Sequence, residues 1–133
     1  MRRFPFSRGR SITKIKQVIA SHTTPFYLYD EYGIANTAQE LNKAFGWQSG
    51  FTNYFAVKAL PNPEILKLLK QKGMGVDCSS LAELIVAERC GFKGEQIMFS
   101  SNDTSKEEFV KANELEAIIN LDDISHITFL EDA

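Results

Sequence analysis

The spacing of hydrophobic positions switches repeatedly between a period of two and a period near 3.6. Phe26-Tyr27-Leu28-Tyr29, entered through Pro25, is an aromatic-rich run that predicts a strand. Ile34, Ala38, Leu41 and Phe45 then share one helical face, predicting a helix from about Glu31 to Phe45 with Asp30 as N-cap and Gly46 as stop.

A strand–helix unit follows and repeats. Strand 54–58 (Tyr54 to Lys58) leads to Asn62-Pro63, an N-cap with proline at the first helical position. That helix carries Ile65, Leu66, Leu68 and Leu69 and stops at Gly73. Strand 75–79 leads to Ser80-Leu81-Ala82-Glu83, a capping box, and a helix with Leu84, Ile85 and Ala87 that ends at Gly91. Strand 97–100 leads to a second capping box, Ser105 to Glu108, before Phe109, Val110 and Ala112. Strand 117–121 precedes a last helix, begun at Asp123, with Ile124, Ile127 and Leu130.

Four βα units at a period of roughly 20 residues imply a parallel sheet with right-handed crossovers. Two architectures fit this α/β pattern: an open doubly wound sheet, or about half of a TIM-type (β/α)8 barrel preceded by a strand and a helix. A whole barrel takes about 250 residues, so a chain of 133 would supply half of one.

Strand alternation places candidate chemistry. It puts Tyr54, Ala56 and Lys58 opposite Phe55 and Val57, and Asp77 and Ser79 opposite Val76 and Cys78. In the fourth strand it puts Ile118, Asn120 and Asp122 opposite Ala117, Ile119 and Leu121. In each of these strands one face turns polar toward the C-terminal end, where barrel and doubly wound enzymes place their sites. Lys58 is the most informative residue. An amine buried at a strand end loses proton affinity, and a neutral amine can form a Schiff base with an aldehyde. A strand-end lysine that simply reaches solvent is the competing reading from position alone.

Composition changes the picture in two places. With 44% hydrophobic and 24% charged residues the chain is globular in composition, and a formal net charge of −2 gives no general reason to expect nucleic acid as a partner. The charge is asymmetric. Every acidic residue lies at or after Asp30, whereas Arg2, Arg3, Arg8, Arg10, Lys14 and Lys16 precede it. Residues 1–24 therefore read as a basic arm or a transit peptide leading into a domain over 25–133. They lack the apolar stretch of a secretory signal, and no run is long enough to span a membrane. Cys78 and Cys90 make no zinc spacing, so no metal site is expected, and both read as small core residues in a reducing cytosol.

The words around Lys58 carry a resemblance. Tyr54-Phe55-Ala56-Val57-Lys58-Ala59-Leu60-Pro61-Asn62-Pro63 resembles the lysine motif of fold-type III decarboxylases that use pyridoxal 5'-phosphate. The segment from Gly73 through Gly75, Asp77 and Ser80 to Glu83 resembles their G-x-G-x-D-x-x-S-x-x-E stretch. Ile97 to Asn102 and Ile119 to Asp122 resemble their third and fourth strands. Thr24 to Asp30 resembles the opening strand of diaminopimelate decarboxylases in particular, which joins a second, β-rich domain. Any one of these alone is weak; together, in order and spacing, they are specific.

The resemblance implies an alanine-racemase-like barrel and decarboxylation of meso-diaminopimelate to lysine, a step of lysine biosynthesis in the cytoplasm. It implies Lys58 as the Schiff-base lysine, with Asp77, Ser100 and Asn102 (and Ser101) around pyridoxal 5'-phosphate, a small amino-acid substrate and a homodimer. Asp77 also reads as a loop-capping carboxylate, and Asn102 as ordinary turn chemistry. Two departures stand out. Ser101, Asp103 and Thr104 occupy a loop where many members have glycine and lysine. The family's glycine-rich phosphate loop, later barrel strands and β domain are not in these residues, so the expectation is a truncated form, inactive alone. Competing readings are an ornithine, arginine or carboxynorspermidine decarboxylase, and a non-catalytic cofactor-binding or interaction module.

Overall fold

The computed structural model describes residues 10–132. Arg2, Arg3 and Arg8 of the basic arm lie outside the described residues. The elements run α1 (Arg10–Ser21), α2 (Glu31–Ala44), β1 (Tyr54–Ala56), α3 (Pro63–Gln71), β2 (Gly75–Cys78) and α4 (Leu81–Arg89). They continue with β3 (Ile97–Ser101), α5 (Lys106–Glu114), β4 (Ile118–Leu121) and α6 (His126–Glu131). The four strands form one parallel sheet in the order β1-β2-β3-β4. Consecutive parallel strands each joined through a helix are the βα repeat that the periodicity predicts.

Local chemistry sets the helix starts. Asp30 accepts from the Gly33 amide at 3.1 Å, Asn62 from Glu64 at 3.0 Å, and Ser80 from Glu83 at 3.4 Å. Pro63 occupies the first turn of α3, where its missing N–H has no intrahelical role. The predicted box at Ser105 is complete: its hydroxyl accepts from the Glu108 amide, and Glu108 accepts back from the Ser105 amide. The helix ends are alike in backbone and unlike in residue. After the C-caps of α3, α4 and α5 come Gly73 (φ 78°), Gly91 (φ 82°) and Glu116 (φ 56°). Two repeats place glycine in the left-handed turn; the third holds a side chain there at a conformational cost.

One face of the sheet is covered. Val76, Cys78, Ile97 and Phe99 are fully or almost fully buried beneath Leu66 of α3, Leu84 and Ala87 of α4, and Phe109 and Ala112 of α5. Phe109 meets Phe99 edge-on at 6.4 Å between ring centroids. A second cluster joins Ala38 of α2 to Ile65 and Leu69 of α3 and to Met74.

Three expectations need correction. Phe26–Tyr29 forms no strand, and Tyr27 is 89% exposed. An extended run becomes a strand only when a neighbouring strand takes its backbone hydrogen bonds, and the sheet here begins with β1. The first strand also ends earlier than its hydrophobic run. Val57–Ala59 turns into a 3-10 helix, capped by the Leu60 amide on Val57 O at 3.1 Å. Lys58 therefore leaves the strand alternation that grouped it with Tyr54 and Ala56. Finally, Lys58 is exposed, not buried; Val57 takes the buried position.

Candidate functional site

The parallel register sets the site. Ala56 pairs with Asp77, Asp77 with Met98, and Met98 with Ile118; one step on, Ser100 pairs with Asn120. Side chains of one register row point to one face, so Ala56, Asp77, Met98 and Ser100 share the face without helices, as do Ile118 and Asn120. All are partly or well exposed, in contrast to the opposite face. Polar residues of this open face gather at the C-terminal ends of β2, β3 and β4, and the turn holding Lys58 leaves β1 at the same end.

Asp77 and Ser100 are brought together. The Ser100 hydroxyl donates to Asp77 Oδ1 at 2.7 Å across the β2–β3 pair. Neighbouring strands lie about 5 Å apart, so the Lys58 turn, Asp77 and Ser100 occupy three adjacent positions along one rim. Lys58 and Asn102 are exposed on the loops that leave β1 and β3, unlike the half-buried Asp77 and Ser100. Ser101 ends β3, and its carbonyl accepts from the Thr104 hydroxyl at 3.3 Å, closing the loop that carries Asn102.

The neighbouring thiol is inert. Cys78 follows Asp77 but points to the covered face, and burial pushes its pKa up to about 12, with the Glu83 and Asp77 carboxylates adding to the effect. A neutral buried thiol is no nucleophile. Among the described residues no group of three or more His, Cys, Asp or Glu side chains could hold a metal ion. No helix among them is long and apolar enough to cross a membrane.

Two features escaped the sequence reading. Tyr54 lies across Gly75 at the other end of the open face, and its hydroxyl donates to Glu95 O at 2.7 Å. A Cβ on Gly75 would meet the Tyr54 ring at 2.7 Å and Gln96 O at 2.8 Å, so this glycine lets the ring seal the base of the sheet. Its place in a G-x-G pattern gave the only hint. The second feature is Glu108, which accepts from the Leu81 amide of the preceding repeat at 3.0 Å. Its capping-box spacing disclosed the cap within α5 but not the bridge, because a bridge between repeats has no fixed spacing.

Comparison with known proteins agrees with this arrangement. Residues 32–133 match the family described as pyridoxal-dependent decarboxylase, pyridoxal binding domain. Protein TabA of Pseudomonas amygdali pv. tabaci is 45% identical over 111 residues, covering 84% of this chain and 26% of TabA. The diaminopimelate decarboxylase of Methanothermobacter thermautotrophicus is 31% identical over 110 residues, 82% of this chain and 26% of that protein. Among solved structures, a mutant diaminopimelate decarboxylase from Helicobacter pylori complexed with L-lysine superposes with a TM-score of 0.79 at 32% identity, over 89% of this chain and 30% of that one. Ornithine decarboxylase from Entamoeba histolytica superposes with a TM-score of 0.72 at 26% identity, over 90% and 38%. The chain thus spans about a quarter of the length of the curated relatives it matches.

These neighbours decide between the two architectures: the four βα units are the N-terminal part of a TIM-type barrel. The open face of the sheet is then the barrel interior, and the rim holding Lys58, Asp77 and Ser100 is the C-terminal mouth. The match across residues 32–133 makes this chain a member of the pyridoxal-dependent decarboxylase family, within its pyridoxal binding domain.

Proposed function

We propose that this chain supplies the cofactor lysine and one wall of the active site of an amino-acid decarboxylase acting on meso-diaminopimelate. The observation that carries the reading is the rim itself. An exposed lysine turn stands beside a hydrogen-bonded Asp77–Ser100 pair, at the C-terminal ends of three adjacent parallel strands.

The donor set suits pyridoxal 5'-phosphate in part. Lys58 offers a primary amine, the group that condenses with an aldehyde, on the turn that leaves β1. Asp77 and Ser100 offer a carboxylate and a hydroxyl for the polar edge of a ring, and Ala56 and Met98 offer apolar surface beside them. Asn102, on the loop after β3, would add an amide at the same mouth. These residues hold no glycine-rich loop for the phosphate. When bound, the cofactor supplies an electron sink for the electrons released as carbon dioxide leaves. Lys58 would hold it, and Asp77, fixed by Ser100, would orient it.

The finer assignment follows the relatives. Diaminopimelate decarboxylases from several bacteria and an archaeon match at 31–36% identity, and the H. pylori enzyme was solved with L-lysine, the product expected of this substrate. With that substrate, the reading extends to lysine biosynthesis in the cytoplasm and to a homodimer as the working form. The likeness to a solved ornithine decarboxylase favours a second reading, decarboxylation of ornithine.

One experiment tests both levels. Added pyridoxal phosphate is trapped with borohydride on the complete natural polypeptide carrying these residues, and on its Lys58→Ala variant, followed by peptide mapping. Label on Lys58 that vanishes in the variant is expected. Label spread over surface lysines would reject Lys58 as the cofactor residue. Carbon dioxide release from a panel of diamino acids then ranks the substrates, and release from ornithine but not from meso-diaminopimelate would reject the finer assignment.

A further inference from the structure

Two carboxylates hold the loop that follows Asp77. Glu83 accepts from the Ser79 amide at 3.1 Å and from the Ser80 hydroxyl at 3.1 Å, tying the loop to its own helix α4. Glu108 ties it to the next repeat. Its Oε2 accepts from the Ser105 amide at 2.9 Å and the Ser105 hydroxyl at 3.0 Å, while its Oε1 accepts from the Leu81 amide at 3.0 Å. The Leu81 N–H is one of the first four of α4, which find no acceptor inside their own helix. In this fold that orphan donor is satisfied from the neighbouring βα unit.

The consequence is a pair of cross-ties between the second and third repeats. Ser100 to Asp77 joins them at the strand ends, and Glu108 to Leu81 joins them at the helix starts. The two ties bracket the loops that leave β2 and β3. Asp77 and Ser100 are the next-to-last residues of β2 and β3, and Asn102 stands on the loop beyond β3. Glu108 is half-buried, and so is the Leu81 end of its bond, so water replaces that bond poorly.

We propose that Glu108 is a positioning residue for the cofactor wall: by bridging α5 to the start of α4, it fixes how Asp77 and Ser100 are presented to pyridoxal phosphate. The proposal rests on the reading of Lys58 and Asp77 given above. The side chain acts at a distance from the cofactor, through the two loops, as outer residues orient inner ones in preorganised sites.

Three variants of the complete natural polypeptide separate this role from simple helix capping. Glu108→Ala removes both the cap on α5 and the bridge. Ser105→Ala damages the cap and leaves the bridge. Glu108→Gln keeps a carbonyl oxygen for Leu81 but loses the second acceptor for Ser105. The readouts are retention of pyridoxal phosphate during dialysis, the pH dependence of the bound chromophore, and the thermal midpoint. E108A is expected to retain the cofactor about tenfold more weakly than wild type, as loss of one charge-assisted hydrogen bond implies, with the chromophore titration displaced. E108Q is expected within about twofold of wild type. S105A is expected to lower the thermal midpoint and leave cofactor and titration unchanged. If E108A does not fold, Glu108→Asp, one methylene too short to reach both partners, takes its place in the same comparison.

The proposal fails if E108A and S105A lower the midpoint alike while both keep the cofactor and its titration as in wild type. It also fails if E108Q is as defective as E108A. Absence of borohydride label on Lys58 in the wild type would instead sink the underlying reading of the site. The two failures are thereby distinguishable.

Discussion

The two faces of the sheet are written by alternate residues of the same four short strands, yet they share almost nothing. On the covered face Val76, Cys78, Ile97 and Phe99 are at most 1% exposed and cluster with apolar residues of α3, α4 and α5. On the open face Asp77 and Ser100 stand among Ala56, Met98 and Ile118, and Ile118 is 38% exposed. A period-two alternation thus splits one backbone into a side that holds the fold and a side that holds the chemistry. Substitutions on the first side should act on stability, and substitutions on the second on the cofactor.

The largest effect expected is on the covered face. Phe99→Ala removes a buried ring that meets Phe109 edge-on, and large-to-small changes of this kind cost about 3–5 kcal/mol. A urea unfolding midpoint measures it. Lys58→Ala, on an exposed turn, is expected to leave the same midpoint within about 0.5 kcal/mol of wild type. If the two variants unfold alike, the division between the faces is wrong.

Gly75→Ala probes a tightly packed place on the open face. Its added methyl must displace the Tyr54 ring and press on the Gln96 carbonyl, at a cost of about 1–3 kcal/mol. Tyr54→Ala combined with Gly75→Ala should recover part of that loss, because it removes the ring but not the carbonyl. Full additivity of the two changes in urea titrations would show that the contact is not what makes glycine necessary.

How much of this was legible in sequence depends on how local the cause is. Asn62-Pro63, Ser80 and Ser105 start their helices where the sequence places them, because a cap is decided within four residues. Asp77 and Ser100 fall on one face because alternation is a local rule. The 3-10 turn at Lys58 was hidden because Tyr54 to Val57 reads as one hydrophobic run. Only the Leu60 amide closing on Val57 O shows that the strand has already ended. The strand expected at Phe26–Tyr29 failed for the opposite reason: its sequence is suitable, but a strand needs a neighbour, and neighbours are not written in the segment itself. The Glu108 bridge spans 27 residues and is set by the packing of one repeat on the next.

Cys78 and Asp77 bring the comparison down to two adjacent residues. The folded thiol stays protonated up to about 12, whereas the unfolded thiol titrates near the ordinary 9.0. Above pH 9 the unfolded chain therefore binds fewer protons than the folded one, and stability falls as pH rises from 9 toward 12. At pH 10 the loss from this group is on the order of 1.4 kcal/mol. The gap in urea stability between wild type and Cys78→Ala, measured at pH 7.5 and at pH 10, should shrink by about that amount in the variant's favour. A constant gap would mean the thiol is not sealed from solvent.

Asp77→Asn carries the smallest expected change in stability and the sharpest test of the division. The amide oxygen of asparagine can still accept from the Ser100 hydroxyl, so the strand-end tie is kept in neutral form. The cost to the fold should be about 1 kcal/mol or less, since the residue is half-buried and keeps its hydrogen bond. The carboxylate itself, however, is gone from the rim beside the Lys58 turn. If the open face is where the cofactor is oriented, borohydride labelling of Lys58 and retention of pyridoxal phosphate should drop in this variant while the urea midpoint hardly moves. A variant that unfolds early yet labels normally would assign Asp77 to the fold, as a loop-capping carboxylate, and would leave Lys58 alone on the chemical side of the sheet.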